Sequence, residues 1–297
     1  MKLAWSLVTT VVASGLVVQA QRPLLRSSIE LTVVTATVRD GQGRLAKGLP
    51  KEAFEIYEDG IQVPVAQFTS ERVPLGLGML LDISDSMFGR RMKDAEAAVE
   101  QFLLERLAPT DAYFLLAFNH EPRVLFGWKE TPDGVHEALG RLRPTGSTAI
   151  YDAIAAAMPY IQNRPRERAA LVLVTDGADT ASDLTLHDLR PVLIRADAFV
   201  YAVAIDTPEP QAIAKRVSVD TLNEITGQSG GRTEVVRSAA DLDAATASIA
   251  DELNSQYVLA YSSPNAGDGK YHSIRVTVAR EGHRVRARNG YVAAKRR

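Results

Sequence analysis

The chain has 297 residues, of which 46% are hydrophobic and 24% charged, a composition typical of folded proteins and unlike that of disordered chains. Its 34 Lys and Arg against 36 Asp and Glu leave a formal net charge of −2. No nucleic-acid partner is expected, because such binding relies on an excess of basic residues. The absence of cysteine excludes a disulfide scaffold, a thiol nucleophile and a cysteine-ligated metal.

Residues 1–20 predict a signal peptide. The basic Lys2 is followed by an apolar stretch over residues 3–18 and by small residues suited to cleavage after Ala20. Polar residues interrupt that stretch, which falls short of the roughly 20 apolar residues of a membrane span. An uncleaved anchor is therefore the less favoured alternative. We expect an exported protein, periplasmic or secreted, with no stable membrane span after signal removal.

Residues 28–72 predict an N-terminal β segment. Residues 29–38 are rich in β-branched side chains, and Phe54–Glu58 alternates polar and apolar residues. Asp59-Gly60 is a strong signal for a two-residue hairpin turn between that strand and the next.

Residues 73–254 change to an alternation of strands and helices. Residues 75–81 form a nearly continuous apolar run, which is typical of a strand covered on both faces, and residues 91–107 follow with helical spacing. Further strands are predicted at 112–118, 170–174, 198–205 and 233–236, and the last helix at 242–253. This alternation predicts an α/β fold with a doubly wound, mostly parallel sheet of Rossmann type.

Residues 255–294 predict a C-terminal β segment. Neither this segment nor the N-terminal one is long enough to bury an adequate core alone, since units of about 40 residues seldom fold stably without disulfides, metals or oligomerisation. We therefore predict that the two segments pair into one small β module, with the α/β domain inserted between them.

Three oxygen-rich loops are expected to meet at the carboxyl edge of the predicted sheet, where open α/β folds bind ligands. Asp82-Ile83-Ser84-Asp85-Ser86 follows the first α/β strand, Thr145-Gly146-Ser147-Thr148 precedes a helix, and Thr175-Asp176-Gly177 follows the strand at 170–174. Carboxylates and hydroxyls together predict a site for a hard divalent cation.

Here the sequence resembles the von Willebrand factor A family, whose metal-ion-dependent adhesion site combines Asp-x-Ser-x-Ser with a distant Thr and a distant Asp. Asp82, Ser84 and Ser86 match the first motif, Thr148 the second and Asp176 the third. The mature chain looks more closely like the bacterial VWFA-related proteins, which join an A domain to flanking β segments. The matching flanks are residues 38–43, 54–60 and 285–291.

The resemblance implies that these five residues bind Mg²⁺ or Mn²⁺, with the two aspartates acting largely through water. The ion then keeps much of its charge, and a Glu or Asp carboxylate of a protein partner can complete its shell. We predict a non-enzymatic, adhesion-type binding protein. The sequence leaves its oligomeric state open.

Several alternatives remain open at this stage. Each motif alone is more often a helix cap or a turn than a ligand. A metal-dependent hydrolase or phosphatase also places Asp after the first strand, and a scaffold without metal function is possible. Gly89-Arg90-Arg91 lies beside the predicted site and could attract an acidic ligand toward it, but a solvated helix start is favoured. Arg164, Arg166 and Arg168 are predicted to form a solvated loop, with a binding patch as the less favoured alternative. Asp85 and Asp179 are predicted to be solvated loop residues near the site.

Overall fold

A computed structural model describes residues 31–206 and 218–295 of the chain. The predicted signal peptide, residues 1–20, lies outside the described residues. Among the helices of the described ranges, none is long and apolar enough to cross a membrane.

The described elements fall into three successive groups. First come the strands β1 (Leu31–Arg39), β2 (Phe54–Glu58), β3 (Ile61–Val63) and β4 (Gln67–Thr69). The α/β part follows with β5 (Leu75–Asp82), α1 (Arg90–Gln101), β6 (Ala112–Phe118), β7 (Pro122–Lys129), α2 (Val135–Gly140), α3 (Ile150–Gln162), β8 (Arg168–Thr175), α4 (Leu186–Ala196), β9 (Phe199–Ile205), α5 (Val219–Ser229), β10 (Thr233–Val236) and α6 (Ala239–Leu253). The chain then returns to β structure in β11 (Tyr257–Ser262), β12 (Tyr271–Val278), β13 (Arg284–Ala287) and β14 (Gly290–Val292).

The α/β part is built on a six-stranded sheet in the order β10-β9-β8-β5-β6-β7. All neighbours are parallel except β7, which runs antiparallel to β6. Every residue of β5, β6, β8 and β9 is buried, because α1, α2 and α6 cover one face of the sheet while α3, α4 and α5 cover the other. This burial on both faces explains the uninterrupted apolar runs of the sequence. The predicted fold class is confirmed.

The remaining strands form two four-stranded sheets, in the orders β13-β1-β11-β4 and β14-β12-β2-β3. Each sheet combines strands that precede the α/β part with strands that follow it. In the first, β1 pairs antiparallel with β11 from Leu31↔Ser262 to Ala36↔Tyr257; in the second, β2 pairs antiparallel with β12. Side chains of both sheets share one hydrophobic core. We call this two-sheet unit the β module.

The turn between β2 and β3 consists of Asp59 and Gly60, as the sequence predicts. Both residues have positive φ, 49° and 80°. This conformation matches a hairpin turn of type I′, in which both central residues are left-handed.

The α/β part is attached to the β module by buried polar groups. Near the end of α6, the buried Glu252 carboxylate accepts hydrogen bonds from Arg39 of β1 at 2.9 Å, from Arg232 at 3.1 Å and from the Tyr201 hydroxyl at 2.8 Å. Arg286 of β13 completes an ion pair with the same carboxylate. We call these five residues the junction cluster. Burial by itself raises the pKa of Glu252, but the guanidinium groups of Arg286 and Arg232 outweigh it, so that the pKa lies below its ordinary value.

Arg168 lies at the same junction and not in a solvated loop, so that expectation was wrong. Its guanidinium donates to the carbonyl oxygens of Val73 at 2.9 Å and Leu253 at 2.8 Å, and also bonds the Gln256 amide oxygen. Arg168 therefore connects the two points at which the chain enters and leaves the α/β part. Burial lowers its pKa to about 10.

Candidate metal centre

The three oxygen-rich loops meet at the carboxyl edge of the six-stranded sheet and are fixed to one another by main-chain hydrogen bonds. The amide of Asp85, in the loop after β5, donates to the Gly146 carbonyl oxygen at 2.9 Å. The amide of Thr180, in the loop after β8, donates to the Thr148 carbonyl oxygen at 2.8 Å. The loop before α3 therefore lies between the other two and holds both in register.

Gly146 is required by the shape of that middle loop. Its φ is +79°, and a Cβ atom at this position would lie 2.8 Å from Nδ1 of His120. A side chain would meet both backbone strain and a steric clash, so glycine is the residue that lets the loop pass close to His120.

Asp82 ends β5 and is completely buried. One carboxylate oxygen accepts a hydrogen bond from the Ser84 amide at 2.8 Å, and the other from the Thr175 hydroxyl at 2.5 Å. Burial raises the pKa of Asp82 to about 7, although the bonds from Thr175 and Ser84 oppose this rise. Thr175 orients a candidate ligand, yet sequence reasoning had noted it only as part of a polar loop.

Ser84, Ser86 and Asp176 form a continuous chain of contacts. The two serine hydroxyl oxygens lie 3.1 Å apart, and the Ser86 hydroxyl donates to one Asp176 carboxylate oxygen at 2.7 Å. Thr148 approaches from the middle loop. A Cβ atom at Gly177 would lie 3.5 Å from the Thr148 hydroxyl oxygen and 4.0 Å from that of Ser86, so both hydroxyls border the same glycine.

Arg91 is directed into the site, so the expectation of a solvated helix start was wrong for this residue. Its guanidinium donates to the second Asp176 oxygen at 2.6 Å and to the Ser86 carbonyl oxygen at 3.2 Å. The Asp176 side chain is inaccessible to solvent and that of Arg91 is 11% exposed. Burial raises the pKa of Asp176, whereas the Ser86 hydroxyl and Arg91 act in the opposite direction.

Side-chain helix capping does not account for these loops: Ser84 is the N-cap residue of the short 3-10 helix Asp85–Met87, but its side chain makes no cap bond. The N-cap of α1 is Gly89 and that of α3 is Ala149, and neither helix has a side-chain cap bond at that position. At the start of α3 the Tyr151 amide is bound by the Asp179 carboxylate at 3.2 Å and by the Ser182 hydroxyl at 3.0 Å. Asp179 thus has a structural contact, and Thr148 is left available for another role. Asp85 is exposed, as predicted.

A second polar cluster lies in the β module, outside the three loops. The two ring nitrogens of His272 face the carboxylates of Asp59 at 2.7 Å and Asp268 at 3.0 Å. Ligand atoms of Glu58, Asp59 and His272 all lie within 4.8 Å of one another. The hydrogen bond to Asp59 is the largest cause that raises the pKa of His272. An imidazolium ion paired with two carboxylates accounts for this arrangement, which sequence reasoning had missed.

Residues 77–178 match the family model described as von Willebrand factor type A domain. This stretch of the α/β part is similar to von Willebrand factor type A domains, and we call the α/β part the A domain. The match contains the whole of the first loop, the middle loop and Asp176, so the family assignment predicted from those residues is confirmed.

Known proteins resemble this A domain at low identity. Inter-alpha-trypsin inhibitor heavy chain H2 of Sus scrofa is 26% identical over 167 residues, covering 50% of this chain and 17% of the relative. The chain spans at most 27% of the length of the curated relatives that it matches.

Solved structures share the fold of the A domain. Von Willebrand factor type A from Catenulispora acidiphila superposes with a TM-score of 0.54 at 15% identity, covering 91% of this chain and 75% of that chain. The von Willebrand domain of the type V pili tip protein Mfa5 from Porphyromonas gingivalis superposes with a TM-score of 0.51 at 14% identity, covering 62% and 96%.

Proposed function

We propose that this protein is an exported, non-enzymatic binding protein whose A domain holds Mg²⁺ or Mn²⁺ and captures a Glu or Asp carboxylate of a protein partner. The residues that would hold the ion are Asp82, Ser84, Ser86, Thr148 and Asp176. The ion would supply a positive charge to which the partner's carboxylate binds.

The donor set supports a hard divalent cation. All five side chains offer oxygen, and three of them are neutral hydroxyls. Mg²⁺ and Mn²⁺ prefer such ligands, while the soft ligands that select other transition metals are absent from the set. The main-chain bonds between the three loops keep these oxygens together before any ion binds, which lowers the cost of ordering them.

The burial of Asp82 carries the proposal. Its carboxylate is removed from solvent, and its partners among the described residues are a hydroxyl and an amide rather than a cation. A buried charge is costly unless it is paired or coordinates a metal. A divalent cation at this edge of the sheet would supply that compensation.

The same burial argues against the hydrolase or phosphatase alternative. A nucleophilic or general-base aspartate must reach substrate within hydrogen-bond distance. Asp82 is completely buried, and both of its oxygens are already engaged by Ser84 and Thr175. A completely buried carboxylate is better suited to balancing the charge of a nearby ion, directly or through water, than to attacking a phosphoester.

A protein partner is supported by the surroundings of the site. Phe88, on the loop that carries Ser84 and Ser86, is 75% exposed, and an exposed large apolar side chain beside a charged site is typical of protein recognition. The likeness in fold to the tip protein of a pilus is in keeping with an adhesion role outside the cytoplasm. Export itself is inferred from the predicted signal peptide.

The test is metal binding by the mature chain. We expect Mg²⁺ and Mn²⁺ to raise the midpoint of thermal unfolding above its value in EDTA, and Mn²⁺ binding to be visible by electron paramagnetic resonance. A ligand that binds only the folded state stabilises it by about 2.7 kcal/mol at a hundredfold excess over Kd. Asp82→Asn should abolish both effects.

Asp85→Asn is the matched control, since Asp85 lies in the same loop but is exposed and outside the proposed ligand set. It should respond to metal as the wild type does. If the wild type binds no Mn²⁺, or if both variants lose binding equally, the proposed site is wrong. Turnover of a generic phosphoester that disappears in Asp82→Asn would favour the enzyme instead.

A further inference from the structure

Two consecutive arginines begin α1, and they differ in their exposure to solvent. Arg90 is exposed to solvent and pairs with Asp94 one turn later, whereas the Arg91 side chain is largely buried against the loops of the site. Basic residues in the first turn are disfavoured by the partial positive charge of a helix N-terminus. The first turn of α1 contains no acidic residue to offset this. Arg91 therefore has its compensation elsewhere, at Asp176.

Arg91 connects two of the three loops that contain the proposed ligands. The guanidinium bonds the Asp176 carboxylate, on the loop after β8, and the Ser86 carbonyl oxygen, on the loop after β5. The other Asp176 oxygen is bound by the Ser86 hydroxyl. Both oxygens of Asp176 are thus satisfied by groups of this chain, and one of those groups carries a full positive charge.

The contact between Arg91 and Asp176 changes the balance of charge at the site. Asp82 and Asp176 are two buried carboxylates at one edge of the sheet, and two negative charges placed there repel each other. One guanidinium in direct contact with Asp176 removes part of that repulsion. The same guanidinium would repel a divalent cation that approached the Asp176 carboxylate.

We propose that Arg91 is a built-in counter-cation of the metal-free site: it holds the loops after β5 and β8 together without metal and, by competing for Asp176, weakens the affinity for the divalent ion. The inference rests on the proposed function for its second half. Arg91 is then a positioning residue that sets how much metal is needed to load the site.

The experiment compares Arg91→Gln with Arg90→Gln, which removes the same charge from the same helix turn at the exposed position. Each mature protein is unfolded thermally in EDTA and titrated with Mn²⁺ by electron paramagnetic resonance. Arg91→Gln should lower the unfolding midpoint in EDTA and tighten Mn²⁺ binding at least about fivefold, since removing Coulomb repulsion at a partly buried site is worth this much or more. Arg90→Gln should leave both values near those of the wild type.

Arg91→Lys separates charge from packing. It retains the positive charge, so its Mn²⁺ affinity should stay close to that of the wild type; an affinity as high as that of Arg91→Gln would overturn the proposal. If Arg91→Gln does not fold in EDTA, the Mn²⁺ affinity of Arg91→Lys is compared with that of the wild type instead. Recovery of folded Arg91→Gln on adding Mn²⁺ supports the proposal.

Two results separate this inference from the proposed function. If the wild type binds Mn²⁺ but Arg91→Gln binds it equally or more weakly, competition by Arg91 is wrong while the metal site stands. If neither the wild type nor Arg91→Gln binds Mn²⁺, the metal site itself is wrong, and competition by Arg91 falls with it.

Discussion

Two buried carboxylates at opposite ends of the A domain have opposite electrostatic surroundings. Glu252, in the junction cluster, is surrounded by three guanidinium groups and a phenol hydroxyl, and its pKa is held below the ordinary value. Asp82, at the carboxyl edge of the six-stranded sheet, accepts hydrogen bonds from a hydroxyl and an amide, and burial raises its pKa to about 7.

The difference separates a self-sufficient ion cluster from the residues of the proposed metal site. At the junction the chain supplies more positive than negative charge, so the cluster is complete without any added ion. At the carboxyl edge of the sheet, Arg91 pairs with Asp176, whereas the hydrogen bonds to Asp82 come from the Ser84 amide and the Thr175 hydroxyl. A buried polar group without full compensation is a mark of function, because stability alone would not maintain it.

The largest expected effect is at the junction. Glu252→Gln keeps the shape of the side chain but leaves three guanidinium groups without their shared counter-charge, so we expect a loss of about 3 kcal/mol in the free energy of unfolding. Urea denaturation of the mature protein measures it. Asp243→Asn, which breaks an exposed ion pair on the same helix, should cost less than about 0.5 kcal/mol. Equal losses in the two variants would remove the contrast.

A smaller loss is expected from the middle loop of the site. Gly146→Ala forces a side chain into a left-handed conformation and against His120, at a cost of about 2 kcal/mol. Gly43→Ala in the β module has a similar φ of +80° but open space around its Cβ, so it should cost about 1 kcal/mol. Urea denaturation of both variants gives the difference, which isolates the clash. If Gly43→Ala costs as much, backbone strain alone fixes this loop.

Asp82→Asn is the counterpart of Glu252→Gln, because it makes the same isosteric change from carboxylate to amide at the end of β5. In EDTA near neutral pH, removing an uncompensated buried charge should change the free energy of unfolding by less than about 1 kcal/mol in either direction. Urea denaturation in EDTA checks this. A loss as large as that of Glu252→Gln would show that Asp82 is as fully compensated as Glu252.

The smallest effect is expected from His272, where pH is the variable. The folded pKa of His272 is raised above its unfolded value, so its paired imidazolium stabilises the protein fully below the unfolded pKa, about 6.5, and less as pH rises through the folded value. The groups around it are Asp59, Asp268, Glu58 and the Tyr291 ring. The stability difference between wild type and His272→Gln should therefore shrink from pH 5.5 to pH 8.5. A difference independent of pH would show that His272 acts by packing alone.

The elements of the A domain could be predicted because their signals are local. Apolar runs mark β5 and β8, helical spacing marks α6, and the Asp-x-Ser-x-Ser motif contains three candidate ligands within five residues. The ion pairs could not be predicted, because they depend on contacts between residues that are distant in the sequence. Arg91 meets Asp176 across 85 positions, and Arg39 meets Glu252 across 213.

The environment of arginine side chains was the feature most often predicted wrongly from the sequence. A basic residue next to polar neighbours looks the same in a solvated loop as beside a buried carbonyl oxygen, and Arg168 lies beside two of them. Its long apolar stem permits either environment, and only the folded partners decide between them. Thr175 was missed for the same reason, since its hydroxyl acts on Asp82, 93 positions away.

The double crossing between the A domain and the β module has a mechanical consequence. The chain leaves through β4 and returns through β11, which are hydrogen-bonded neighbours, and Arg168 ties the two crossings together at Val73 and Leu253. Tension applied to a partner held at the far edge of the sheet would reach the β module through both crossings at once. The A domain therefore cannot rotate freely about one connecting segment, and the two crossings restrain the orientation of its ligand-binding edge relative to the β module.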